Sequence, residues 1–141
     1  MQHPSRLSRL CLKDARQSLP YVLDLPAPVI FLSCEPLVEH LFLDRWLEQN
    51  KINWVICGGY SGREHRPMDL SWARSLRDEC KQQKVAFFMK QLGSVYARQH
   101  RLHNWKGEDM TEFPPDLRIQ EFPHLFFFHG MNRRAERLSG R

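Results

Sequence analysis

Side chains able to do chemistry gather at the ends of three apolar runs. Val29-Ile30-Phe31-Leu32-Ser33-Cys34 runs into Glu35-Pro36, Trp54-Val55-Ile56-Cys57 into Gly58-Gly59-Tyr60-Ser61-Gly62, and Val85-Ala86-Phe87-Phe88-Met89 into Lys90-Gln91-Leu92-Gly93. A carboxylate, a glycine-rich turn bearing a hydroxyl, and a cation beside an amide are the parts of a site for an anionic ligand. Glycines permit close backbone approach, and successive amides can cradle an anion. The turn lacks the Gly-Lys-Ser/Thr ending of a phosphate-binding P-loop and the spacing of a dinucleotide fingerprint; glycines that only let the chain leave a sheet would read the same. Downstream, Arg63 and Arg66 suit a phosphate or carboxylate, and Asp69 can orient one of them or cap a helix. Glu35, Ser61, Arg66, Asp69 and Lys90 thus supply acid, hydroxyl and cation, but no nucleophile is assigned, and His65 fits no defensible Ser/His/Asp order. An ion-pair network closing strand ends accounts for the same residues.

The elements that must position these groups follow from the pattern. Each apolar run is short, continuous and rich in β-branched and aromatic residues, as in a strand covered on both faces. Between them, Leu37–Asn50 places Leu37 with Leu41 and Val38 with Phe42 at helical spacing, continuing to Trp46 and Leu47. Ser71–Gln83 does the same with Trp72, Leu76 and Cys80, with Ser71 as N-cap. The expected fold is α/β: a partial β/α-barrel-like domain with at least three parallel strands, near 29–33, 54–57 and 85–89, joined by right-handed crossover helices. In that arrangement Glu35, Gly58, Gly59, Ser61, Gly62, Lys90 and Gln91 share the carboxyl edge, where ligands of such sheets bind. At 141 residues the chain is one domain and too short for eight β/α units. Half a barrel leaves sheet edges unclosed, so a homodimer, or a cap made by the end segments, is expected.

The formal charge of +5 permits an anionic partner without selecting one. Much of it is terminal, in Arg6, Arg9, Lys13 and Arg16 and in Arg133, Arg134, Arg137 and Arg141. Arg98, His100, Arg101, His103, Trp105 and Lys106 form a basic and aromatic patch able to hold phosphate and stack bases, which Arg133, Arg134 and Arg137 supplement if the tail folds back. An exposed loop anchored by one tryptophan is the alternative. Residues 1–27 read as a basic leader and lead-in, with Leu19–Leu25 a short edge strand or extended approach. Residues 28–93 form the parallel core and 94–130 a loop-rich continuation, in which Leu125–Phe128 adds a strand or seals the sheet; 131–141 is a basic, helix-like tail. No secretion signal or membrane-length apolar run is present, so a cytoplasmic protein without membrane contact is expected. Cys11, Cys34, Cys57 and Cys80 recur every twenty-three residues. They fall on unlike elements and form no CxxC pair, so free thiols are expected rather than a metal site.

Phe31-Leu32-Ser33-Cys34-Glu35-Pro36-Leu37, Trp54–Gly62, Arg66-Pro67-Met68, Trp72–Cys80 and Phe87–Gly93 resemble the phage gp thirty-seven/gp sixty-eight domain family. Lys106–Met110, Phe113-Pro114, Leu117-Arg118 and Glu121-Phe122-Pro123 continue the likeness. The long forms of that family look like β/α barrels related to radical S-adenosylmethionine enzymes, and this chain resembles their carboxyl-terminal half. The resemblance maps Glu35, Gly58, Gly59, Ser61, Gly62, Arg66, Pro67, Asp69, Lys90 and Gln91 onto the family's edge. The amino-terminal cysteine cluster of the long forms has no counterpart here, and Tyr60 and Arg63-Glu64-His65 depart from the family's turn. No cofactor, and in particular no iron–sulfur cluster with S-adenosylmethionine, is therefore expected. The resemblance implies a phage-derived binding or regulatory protein in a bacterial host, an inhibitor of a host system or a nucleic-acid-associated factor. Its partner would be nucleic acid or an acidic host protein. The enzymatic alternative acts on a small anionic ligand or nucleotide at the carboxyl edge.

Overall fold

Strands that pair in parallel need a crossover between them, and the chain supplies one each time. The computed structural model describes residues 19–21, 23–24, 29–62 and 66–124. The expectations for the basic leader, Arg63 and His65, Leu125–Phe128 and the arginine tail lie outside these. β1 (Phe31–Cys34), β2 (Trp54–Gly58) and β3 (Ala86–Gln91) form a three-stranded sheet in sequence order, parallel throughout. The register sets Cys34 beside Cys57 and Cys57 beside Met89, so all three strands end together. Among the described residues the sheet does not close into a barrel. Helices α1 (Asp44–Leu47) and α2 (Leu70–Gln82) lie in the crossovers; α3 (Ser94–Gln99) and two 3-10 turns, Met110–Glu112 and Pro115–Leu117, follow β3.

One face of the sheet is the core. Leu32, Cys34, Val55, Cys57, Phe87 and Met89 are buried there with Ala73, Leu76 and Cys80 of α2. Each fully buried aliphatic or aromatic side chain contributes about 1.5–3 kcal/mol. α2 is amphipathic as the sequence predicts, but its N-cap is Asp69, whose carboxylate accepts from Ser71 N at 2.8 Å, and not Ser71. Its outer face is tied down as well. Arg74 and Arg77 both reach Asp116, with Nε and Nη1 each 2.7 Å from Oδ2. These guanidinium groups hold the Asp116 carboxyl down at about 2.

Three expectations need correction. Leu37–Asn50 is not one helix: only Asp44–Leu47 is helical, and the stretch before it is irregular. There Leu37, Leu41 and Leu43 are buried while Val38 and Phe42 stay 53% and 61% exposed. Two chain contacts hold this path: Leu37 N donates to Gly58 O at 2.8 Å and Leu43 N to the Glu79 carboxylate at 2.6 Å. The described residues of Leu19–Leu25 do not form a strand. Leu19, Pro20, Tyr21 and Leu23 are helical: Leu19 and Leu23 are buried while Tyr21 between them is exposed, whereas a strand would set all three on one face. The two faces of the strands are also not equally covered: Phe31, Trp54, Ile56 and Phe88 on the second face are part-buried, whereas the first face is fully buried. Continuous apolar sequence here marks a core face backed by a part-buried, aromatic second face.

Three of the four cysteines meet in the core; Cys11 lies outside the described residues. Cys34 and Cys57 are register partners at the ends of β1 and β2, and Cys80 lies on α2, close enough for each to affect the others. All three are buried free thiols. Burial foremost pushes the Cys34 thiol up to about 12 and raises Cys57 and Cys80 strongly. Because thiolate is the reactive form, none of the three is expected to react with a thiol reagent at neutral pH until the protein unfolds. Counting reactive thiols before and after denaturant checks this. Rapid native labelling of any of Cys34, Cys57 or Cys80, located by peptide mapping, would contradict it.

Candidate functional site

The carboxyl edge assembles much of what the sequence assigned to it. Glu35 follows β1 and Lys90 ends β3, with β2 between them. Lys90 Nζ nonetheless lies 3.1 and 3.0 Å from the two Glu35 carboxylate oxygens. Gly58 makes this crossing possible: a Cβ there would stand 3.3 Å from Glu35 Cγ and 3.2 Å from Gln91 Cγ. The pair therefore spans the middle strand over a residue with no side chain. Gln91 turns inward, fully buried, and donates to Gly59 O at 2.6 Å.

Gly59 packs closest. A Cβ at this position would fall 2.3 Å from the Leu92 carbonyl oxygen, so only glycine lets the ends of β2 and β3 meet. Gly59 N also donates to Gln91 O at 2.9 Å. Gly93, with φ +97°, carries the chain out of β3 in a conformation other residues rarely adopt. Ser94 then bonds back to the turn, its N donating to Tyr60 O at 2.9 Å and its hydroxyl to Gly62 O. Ser61 is half-buried in this turn, and Gly62 lies against the Tyr60 ring. Arg66 is exposed beyond it. Asp69 is engaged as the α2 cap, so it is committed to the helix rather than to an arginine. Glu35, Gly58, Gly59, Lys90 and Gln91 thus form one connected cluster.

The basic and aromatic patch lies beside this edge, on α3 and the loop after it. The loop is bonded to the end of β3, with Leu92 N donating to Gly107 O at 2.8 Å and Gly93 N to Lys106 O at 3.0 Å. Glu112, which the sequence reading did not single out, braces it from below. Its carboxylate accepts from His103 N at 2.7 Å and Asn104 N at 3.1 Å, and these bonds hold its carboxyl below the usual range. Asn104 Oδ1 in turn accepts from Lys106 N at 3.0 Å and Glu108 N at 3.2 Å. On this pinned backbone Trp105 is 64% exposed, so it does not anchor the loop. Lys106 Nζ lies 5.1 Å from its ring centroid. Arg98, His100 and Arg101 are exposed on the neighbouring helix end, with His100 stacked on Tyr96 at 4.0 Å. His103 is exposed and contacts Glu112 Oε1 at 3.2 Å. Arg133, Arg134 and Arg137 lie outside the described residues.

Sequence reasoning also missed a buried acid. Glu79 of α2 accepts from Leu43 N and, at 3.3 Å, from the Ser75 hydroxyl. Burial foremost, then the neighbouring Asp44 carboxylate, pushes its carboxyl up to about 7. A glutamate at i+4 from a serine on an amphipathic helix looks solvent-facing in sequence; only the returning Leu43 backbone reveals its role. Among the described residues no group of three or more His, Cys, Asp or Glu side chains could hold a metal ion, and no helix is long and apolar enough to cross a membrane.

Fold and edge together define a parallel α/β protein with a braced, aromatic-tipped basic loop beside its carboxyl edge. Residues 11–141 match the family model described as "Protein of unknown function (DUF5131)", and the chain belongs to that family. Neither a curated protein nor a solved structure matches it significantly.

Proposed function

We propose that this protein is a binding protein for single-stranded nucleic acid, acting through Trp105 and the cations around it. One observation carries the reading: Trp105 is held outward by a loop whose backbone is fixed by Asn104 and Glu112, with Lys106 at its ring. An exposed indole on a fixed backbone loses less freedom on stacking against a base, and the exposed Arg98, His100 and Arg101 nearby on the chain offer partners for phosphates. The carboxyl-edge cluster supports binding over turnover, since Glu35 and Lys90 neutralise each other and Gln91 is bonded to a backbone carbonyl. The same reading takes the protein as a phage-derived regulatory factor in the cytoplasm of a bacterial host.

Anisotropy titration with labelled oligonucleotides tests it. Saturable binding to single strands is expected to weaken roughly tenfold or more between low and moderate salt, because each neutralised phosphate releases counterions. Trp105→Ala should weaken binding by roughly tenfold, the loss of one stacked base. No saturable binding to DNA or RNA at low salt, with a stoichiometric acidic host protein in affinity capture, would replace nucleic acid with an acidic protein partner.

A further inference from the structure

His100 closes the carboxyl end of α3 as an exposed residue, and its ring lies on that of Tyr96, with centroids 4.0 Å apart and planes 21° from parallel. Tyr96 is itself half-buried and packed against the core. The imidazole thus rests on a support that the fold fixes. We propose that His100 is a second base-stacking residue of the nucleic-acid site, and that binding there takes up a proton on its imidazole. This rests on the nucleic-acid reading and names what regulates the same site.

Trp105 and His100 belong to one unit of the chain. The loop after α3 starts at that helix's carboxyl end, where Leu102 N donates to Ala97 O at 2.9 Å. It returns to the amino end, where Gly93 N donates to Lys106 O at 3.0 Å. The neighbour of Trp105 is therefore bonded just before α3, and His100 stands just after it. From Gly93 to His100 is roughly 10 Å at the helical rise of about 1.5 Å per residue. Even the smallest single-strand sites, of about four nucleotides, cover such a span.

Charge gives the proton its role. Arg98 on α3 and Arg101 beside it are exposed cations, and on the neighbouring α2 Arg74 acts on Tyr96 while paired with Asp116. Among the described residues no acid pairs with His100. Cations on either side disfavour its imidazolium, and a phosphate placed there favours it, so binding draws in a proton. His103 differs, because Glu112 Oε1 at 3.2 Å already balances its charge. Hydrogen bonds hold the Glu112 and Asp109 carboxyls below the usual range, so both stay ionised from about pH 5.5 to 8. The gain in affinity is therefore present on the acid side of imidazole titration and is lost as pH rises through it.

Anisotropy titration of the full-length protein with rhodamine-labelled oligothymidylate, at about pH 5.5 and about pH 8, tests this; neither thymine nor the label titrates between them. Circular dichroism confirms that each variant is folded at both. The parent is expected to bind roughly three- to fivefold more tightly at the lower pH, the worth of one exposed charge pair. His100→Ala should weaken binding by roughly tenfold, the loss of a stacked base. His100→Phe, which stacks but cannot ionise, should bind more tightly than His100→Ala at both pH values and vary little between them. His103→Gln should keep the pH dependence. A His100→Phe protein that tightens on acidification as the parent does, or that binds no better than His100→Ala, would overturn the proposal and leave the nucleic-acid reading in place. Absence of saturable binding at both pH values would overturn the two together.

Discussion

Replacing Gly59 with alanine is expected to destabilise the protein on the order of 3 kcal/mol or more, enough to leave much of it unfolded. The added Cβ would stand 2.3 Å from the Leu92 carbonyl oxygen, 2.8 Å from its carbon and 3.0 Å from Gly93 Cα. All three are backbone atoms, so no side chain can swing aside. Relief requires the ends of β2 and β3 to part, breaking the Gly59 N to Gln91 O bond and the Gln91 side-chain bond to Gly59 O. Gly58→Ala is the control, because its contacts at 3.2 and 3.3 Å are with flexible Gln91 and Glu35 side chains. Urea denaturation of both variants checks this. A Gly59→Ala midpoint no lower than that of Gly58→Ala would show that the close approach does not constrain the edge.

The second large effect is a fall in stability from about pH 5 to pH 8, on the order of 2 kcal/mol, traceable to Glu79. Its carboxyl is raised in the folded protein from the ordinary 4.5 to about 7, by burial first and by Asp44 second. Between those values the folded protein keeps a proton that the unfolded chain has released. The stabilisation is therefore complete below the unfolded value and is lost as pH climbs through the folded one. Glu79→Gln keeps an acceptor for Leu43 N but cannot ionise, so its stability should vary much less over the same range. The difference between the two proteins in denaturation at the two pH values isolates this group from the histidines. Parallel behaviour of wild type and variant would refute the assignment.

The sequence by itself determined the parallel α/β core and the edge. Three continuous apolar runs separated by crossover-length segments can scarcely pair otherwise, and parallel strands must end together, which brought Glu35, Gly58 and Lys90 to one place. The covalent period of two also fixed which strand residues share a face. Tertiary structure decided what periodicity cannot carry. A run such as Trp54–Cys57 reads alike whether its second face meets a helix or lies open, because hydrophobicity records the wish to be buried and not the partner. Leu37–Leu43 carries helical spacing, yet bonds to Gly58 and Glu79 from distant elements hold it in an irregular path. The glycine turn could be read as an anion cradle or a chain exit; the Leu92 carbonyl, thirty-three residues away, gives Gly59 its reason. The outward pose of Trp105 was likewise invisible, since exposure depends on Glu112 bracing the loop from a separate turn. Local pattern sets what each segment can become, and long-range hydrogen bonds and contacts choose among those possibilities.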